Sequence, residues 1–177
     1  DNILMRIADI FLAFPGIVFA IAVASVLSGG ITSAVIAVAA VSWPKYARLA
    51  RSEVLSVCAS DYIKAARMSG ISEFGIIIKH IIPNIAGIIV TTALLDIGHM
   101  MMEIAGLSFL GLGAAPPAAE WGAMMSNGRS MLQTAPWIIL APGVAIFVSV
   151  LIFNMFGESV KTRWNKNNRR TGYAGRQ

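Results

Sequence analysis

The sequence predicts an all-α integral membrane protein, a polytopic helical bundle of four spans with one sizeable cytoplasmic loop. Three observations carry this. Of 177 residues, 56% are hydrophobic and only 13% charged, against about 45–50% and about 25% in ordinary soluble domains. The charges are bunched: there are none from Ile10 to Pro44, none from Ser130 to Gly157, and only Asp96 and Glu103, beside the titratable His99, from Ile81 to Ala119. All of the 14 Lys and Arg residues except Arg129 fall on one side of a four-span layout, the asymmetry expected of a chain with its basic flanks in the cytoplasm. Disorder is excluded, because it needs low hydrophobicity and high charge. The single cysteine, Cys58, excludes a disulfide framework and any multi-cysteine metal site. The net charge of +5 would suggest nucleic acid in a soluble chain. In this one it marks cytoplasmic flanks beside membrane lipid, and no nucleic-acid partner is expected.

A membrane helix needs about 20 mostly apolar residues. The first charge-free gap is too long for one, and Ser28-Gly29-Gly30 interrupts it, which gives spans over 9–27 and 31–49. Lys45 and Arg48 close the second span and must snorkel to the interface. A third span is expected over 84–106. A fourth covers 137–157, with Pro142-Gly143 near its entry, and residues 161–177 form a basic cytoplasmic tail that serves as a solvated stop-transfer flank. The chain begins at Asp1, already close to a span. Residues 1–160 therefore read as a transmembrane domain truncated at its N-terminus, lacking upstream helices.

The loop over 51–83 has its own pattern. Tyr62, Ala65, Ala66 and Ser69 sit at helical spacing, and Ala favours helix. Gly70 supplies the positive-φ turn that ends that helix. Ser72 is placed to cap a second short helix over Glu73–His80, and Pro83 fits the first turn of the next span. A short helix, a glycine turn and a second helix make a shape that docks into a groove on a soluble partner; the plain alternative is a surface connection.

The stretch Tyr62-Ile63-Lys64-Ala65-Ala66-Arg67-Met68-Ser69-Gly70, followed by Lys79-His80-Ile81-Ile82-Pro83-Asn84, resembles the EAA loop of ABC importer permeases. Ala65, Ala66, Gly70 and Pro83 match that pattern, whereas Lys64 stands where the family has Glu, His80 where it has Ile and Ile82 where it has Leu. Nearly the whole chain shares the likeness. Asp1-Asn2-Ile3-Leu4-Met5-Arg6, Phe14-Pro15-Gly16, Leu107-Ser108-Phe109-Leu110-Gly111-Leu112-Gly113, Glu120-Trp121-Gly122 and Ala135-Pro136-Trp137 are similar to the second permease subunit of the peptide/nickel branch. The resemblance implies a type I importer permease fold in a bacterial or archaeal inner membrane, with a cytoplasmic C-terminus. It implies an ATPase-coupling loop containing Tyr62, Lys64, Ala65, Ala66, Gly70 and Pro83. It also implies partners: a second permease subunit, two ATP-binding subunits that carry ATP and Mg²⁺, and an extracytoplasmic substrate-binding protein. This chain binds no cofactor of its own.

In the third span Asp96, His99, Met100 and Glu103 stand at i, i+3, i+4 and i+7 and share one helix face. Ionisable groups inside a span usually face a bundle interior or a cavity, so this face is the expected substrate path. Imidazole suits nickel, copper and zinc, which makes His99 a candidate metal contact. The plain alternative is core packing by Met and a structural histidine. The segment Leu94-Leu95-Asp96-Ile97-Gly98-His99-Met100-Met101 is similar to nickel-import permeases. The substrate expected is therefore nickel or a nickel chelate, with di- or oligopeptides as the alternative. An enzyme is not expected, since no His-Glu-x-x-His, Walker A or Gly-x-Ser-x-Gly motif occurs. A channel without energy coupling is the remaining rival, and the EAA-like loop argues against it.

Overall fold

Apolar and helix-favouring residues fill most of the chain, and its breaks fall where Pro, Gly and Ser cluster. The structure, a computed structural model, describes the backbone of residues 2–174 and the side chains of residues 2–163. Asp1, Arg176 and the side chains of Lys166, Arg169 and Arg170 lie outside the described residues. Helices α1 (Asn2–Leu12) and α2 (Gly16–Val26) meet at 94°. The expected single helix over 9–27 is thus corrected to two short ones. Pro15 has no N–H to continue the ladder, and it drives Phe14 out of helical geometry. The bend is pinned from inside: the Phe11 ring lies 5.0 Å from Phe19 and 5.5 Å from Trp43, and Arg48 holds Asp9 at 2.6 Å.

Ser28, Gly29 and Gly30 take φ of 68°, 76° and 93°, a left-handed run that reverses the chain into α3 (Ile31–Cys58). The Ser33 hydroxyl anchors this turn by donating to the Leu27 and Gly29 carbonyls at 2.9 and 2.6 Å. α3 continues nine residues beyond its expected end at 49, because Ala50-Arg51 and the residues after them are compatible with helix. The first part of the expected loop over 51–83 is therefore the end of α3.

Next come α4 (Asp61–Met68) and α5 (Glu73–Ile76), a single π turn (Ile77–Ile81), α6 (Ile82–Phe109), α7 (Trp121–Asn127) and α8 (Trp137–Ala174), with a 3₁₀ turn (Gly128–Met131) after α7. The second short helix expected over Glu73–His80 is not separate. α5, the π turn and α6 form one 37-residue helix, Glu73–Phe109. Pro83 lies in the first turn of α6, and the wider π turn ahead of it eases the ring past the preceding carbonyls.

Among the described residues, two helices are long and apolar enough to cross a membrane, Glu73–Phe109 and Trp137–Arg163, and α1 with α2 makes a third if the bent pair is one span. α3 has the length of a span, but its apolar run stops at Pro44, and Lys45, Arg48 and Arg51 follow.

α6 is the central helix. Toward its C-terminal end the core is built mostly of small residues: Ala20, Ala24, Ala34, Ala37, Val38 and Leu107 are buried together. Close approach sets the α6–α8 seam, since a Cβ on Gly98 would lie 3.0 Å from Asn154 Oδ1 and one on Gly157 would lie 2.9 Å from Leu95. α7 presses harder still on α6: a Cβ on Gly122 would meet the Ala105 carbonyl oxygen at 2.2 Å. Glu120 starts α7 by accepting hydrogen bonds from the Gly122 and Ala123 amides at 3.0 and 2.8 Å.

Candidate functional site

Asp96, His99, Met100 and Glu103 line a single cavity of about 150 Å³ between α6, α3 and the end of α1, with Leu12, Val41, Ser42 and Lys45 forming the rest of its wall. Leu12 is the last residue of α1, just before the bend. Charge is concentrated at one end. Lys45 Nζ donates to both Asp96 oxygens at 2.6 Å, and the Tyr46 hydroxyl donates to Asp96 Oδ2 at 2.8 Å. The Asp96 side chain is only 15% exposed, while that of Lys45 is 52% exposed. An acid within an apolar helix is costly unless paired, and here α3 supplies the partner from 51 residues away.

At the other end, the Glu103 carboxylate is 16% exposed, and its Oε1 lies 3.6 Å from His99 Nδ1, too far for a hydrogen bond. Met100 also packs on the small-residue core. Among the described residues no group of three or more His, Cys, Asp or Glu stands close enough to hold a metal ion. His99 has one acidic neighbour, and Asp96 is occupied by Lys45 and Tyr46.

The second candidate region is the elbow formed by α4 and the start of the Glu73–Phe109 helix. The amide of Ile71 donates to Ala66 O at 3.3 Å and that of Gly70 to Arg67 O at 3.0 Å, a Schellman ending with Gly70 at φ 79°. Ser72 Oγ accepts from the Gly75 amide at 3.2 Å. Arg67 spans the turn to Glu73, with Nε 3.0 Å from Oε1. Asn84 Nδ2 donates to the Tyr62 hydroxyl at 2.9 Å and to His80 O at 2.7 Å, which ties α4 to the turn that holds Pro83. Ile63 is the one buried residue of α4. It sits with Ile76, Ile81 and Ile85 beneath the end of α3. Tyr62, Lys64, Ala65, Met68, Gly70 and Pro83 are exposed and Ala66 half-buried; Lys64 pairs with its neighbour Asp61, at 2.8 Å.

The four residues expected on the α6 face line one cavity, and Tyr62, Lys64, Ala65, Ala66, Gly70 and Pro83 lie on or beside the elbow. Sequence reasoning missed Lys45 and Tyr46 as partners of Asp96, and Ile63, Arg67, Glu73 and Asn84 as the ties of the elbow. One signal for the first was available: Lys45 is the first cation after a long uncharged run, and Asp96 is an isolated acid in another.

Comparison with known proteins adds to this geometry. The family described as binding-protein-dependent transport system inner membrane component matches residues 1–166. The chain is 44% identical over 161 residues to the glutathione transport system permease protein GsiD of Shigella flexneri serotype 5b (strain 8401), covering 91% of this chain and 53% of that protein. The same figures hold for its namesake in Escherichia coli O157:H7. They hold too for the dipeptide transport system permease protein DppC of Alkalihalophilus pseudofirmus. The chain thus spans about half the length of the curated relatives it matches.

Proposed function

Because this chain belongs to the family of binding-protein-dependent transport system inner membrane components, a transport family and not an enzyme family, we propose that it serves as the permease subunit of an ATP-driven importer of short peptides. The observation that carries this is the elbow. A short helix held by one buried isoleucine, Ile63, projects Tyr62 and Met68 outward, 45% and 90% exposed, and a left-handed glycine fixes its direction. Its apolar side chains suit a groove on an ATP-binding subunit. Tyr62, Lys64, Ala65, Ala66, Gly70 and Pro83 form this coupling segment on the cytoplasmic side, where the C-terminus also lies. The cavity lined by Asp96, His99, Met100 and Glu103 is this subunit's share of the path. A second permease subunit completes the path, two ATP-binding subunits hydrolyse ATP with Mg²⁺, and an extracytoplasmic binding protein delivers substrate.

Peptide is favoured over the nickel expected from the Leu94–Met101 segment. The relatives are named for glutathione and dipeptide, and the cavity offers a salt-bridged Asp96 in place of a set of free metal donors. In proteoliposomes holding the assembled importer, ATP should drive uptake of labelled glutathione or dialanine and not of nickel. Gly70→Val should separate ATP hydrolysis from uptake, because a β-branched residue at φ 79° costs on the order of 1–3 kcal/mol of strain and re-aims α4. Wild-type uptake by an assembled Gly70→Val importer would remove the coupling role of this turn.

A further inference from the structure

The cavity beside α6 has an ion pair at one end and a lone carboxylate at the other, and the two ends are differently satisfied. At one end Asp96 is fully engaged by Lys45 and Tyr46, and the Lys45 side chain is still half-exposed. At the other, Glu103 is five-sixths buried, and the basic side chain beside it is the His99 imidazole, at 3.6 Å. A carboxylate within a long apolar helix and without a fixed cation is costly, and a passing cation is the group that relieves it. Asp96 and Glu103 are seven residues apart on one face, which is about 10 Å along the axis at ~1.5 Å per residue. An extended chain covers at most about 3.3–3.6 Å per residue, so about three residues span that distance.

We infer that this cavity receives a short zwitterionic peptide, with its terminal carboxylate at Lys45 and its α-ammonium at Glu103. Asp96 and Tyr46 are the positioning residues that keep Lys45 at its post. Because a ligand in transit must also leave, both contacts are single and partly solvated. The inference rests on the peptide reading above and adds to it an orientation of the bound peptide and a preferred length.

The test uses the whole importer in proteoliposomes with its own binding protein, and reads uptake of trialanine and dialanine per assembled complex. The binding protein is the same for every variant, so its selectivity cancels when the trialanine-to-dialanine ratio of a variant is compared with that of the wild type. Glu103→Gln should lower trialanine uptake about 10-fold, with Glu103→Asp recovering most of it. The double variant His99→Glu/Glu103→Gln moves the carboxylate one turn closer to Lys45, and it should shift the ratio several-fold toward dialanine. A change that is equal for both peptides, or unchanged trialanine uptake in Glu103→Gln, overturns the inference while leaving peptide import standing. A wild-type importer that hydrolyses ATP and takes up neither peptide overturns the peptide reading and this inference together.

Discussion

The elbow and the cavity solve opposite problems with opposite means. The elbow is built from neighbours: its farthest hydrogen bond, Asn84 to Tyr62, joins residues 22 apart, and the rest close within a few positions. The cavity is built from strangers, with Lys45 and Asp96 51 residues apart and Leu12 contributed by the end of another helix. The elbow buries one side chain and leaves the rest outside, so that a partner could grip it. The cavity half-buries its charges and depends on their pairing. Local construction makes the elbow a separable part, whereas the cavity shares its fate with the packing of α1, α3 and α6.

Three substitutions test that difference. The largest effect is expected from Ile63→Ala. Truncating a buried isoleucine costs about 2–5 kcal/mol, and Ile63 is wholly buried. The loss should stay local: tryptic cleavage after Lys64 or Arg67 should accelerate at least about 10-fold, while the thermal midpoint of the remaining helices barely moves. A global loss of stability would show that the elbow is not separable. Lys45→Met comes next and should behave in the opposite way. It strands Asp96 with Tyr46 alone, at about 2 kcal/mol, less than the ~3–5 kcal/mol for a fully buried pair because Lys45 is half in solvent. The defect should be a lowered thermal midpoint for the whole chain, largely restored in Lys45→Met/Asp96→Leu, and a midpoint unmoved by Lys45→Met would show that the pair is not structural. The smallest effect belongs to Arg67→Gln. An exposed ion pair contributes about 0.2–1 kcal/mol, so cleavage at the elbow should rise by no more than about 5-fold, and a rise matching that of Ile63→Ala would make this pair the real clasp.

The same difference decides what could be read from the residues. Gly70, Ser72 and the helix before them were legible because caps and turns are written in short stretches, and Asp96 to Glu103 shared a face by spacing alone. The bend at Pro15 was missed because the count of apolar residues outweighed a single proline. The merging of α5 into α6 is not legible around Pro83, because a proline marks a first turn and nothing local records the π turn that joins the helix before it. The pairing of Lys45 with Asp96 depends on tertiary packing, which no local pattern records. Nickel was expected from the likeness of the Leu94–Met101 segment to nickel-import permeases, whereas the relatives the chain matches are named for glutathione and dipeptide.

The π turn over Ile77–Ile81 has a mechanical consequence. One additional residue in a helical turn rotates everything beyond it by about 100° relative to the segment before it. The helix from Glu73 to Phe109 is thus a drive shaft with a fixed phase offset. Its near end is keyed to α4 through Tyr62, Asn84 and Ile76, and its far end carries Asp96 and Glu103. Without that additional residue, the face carrying Asp96 and Glu103 would stand about 100° away from the wall that α3 and the end of α1 now offer it.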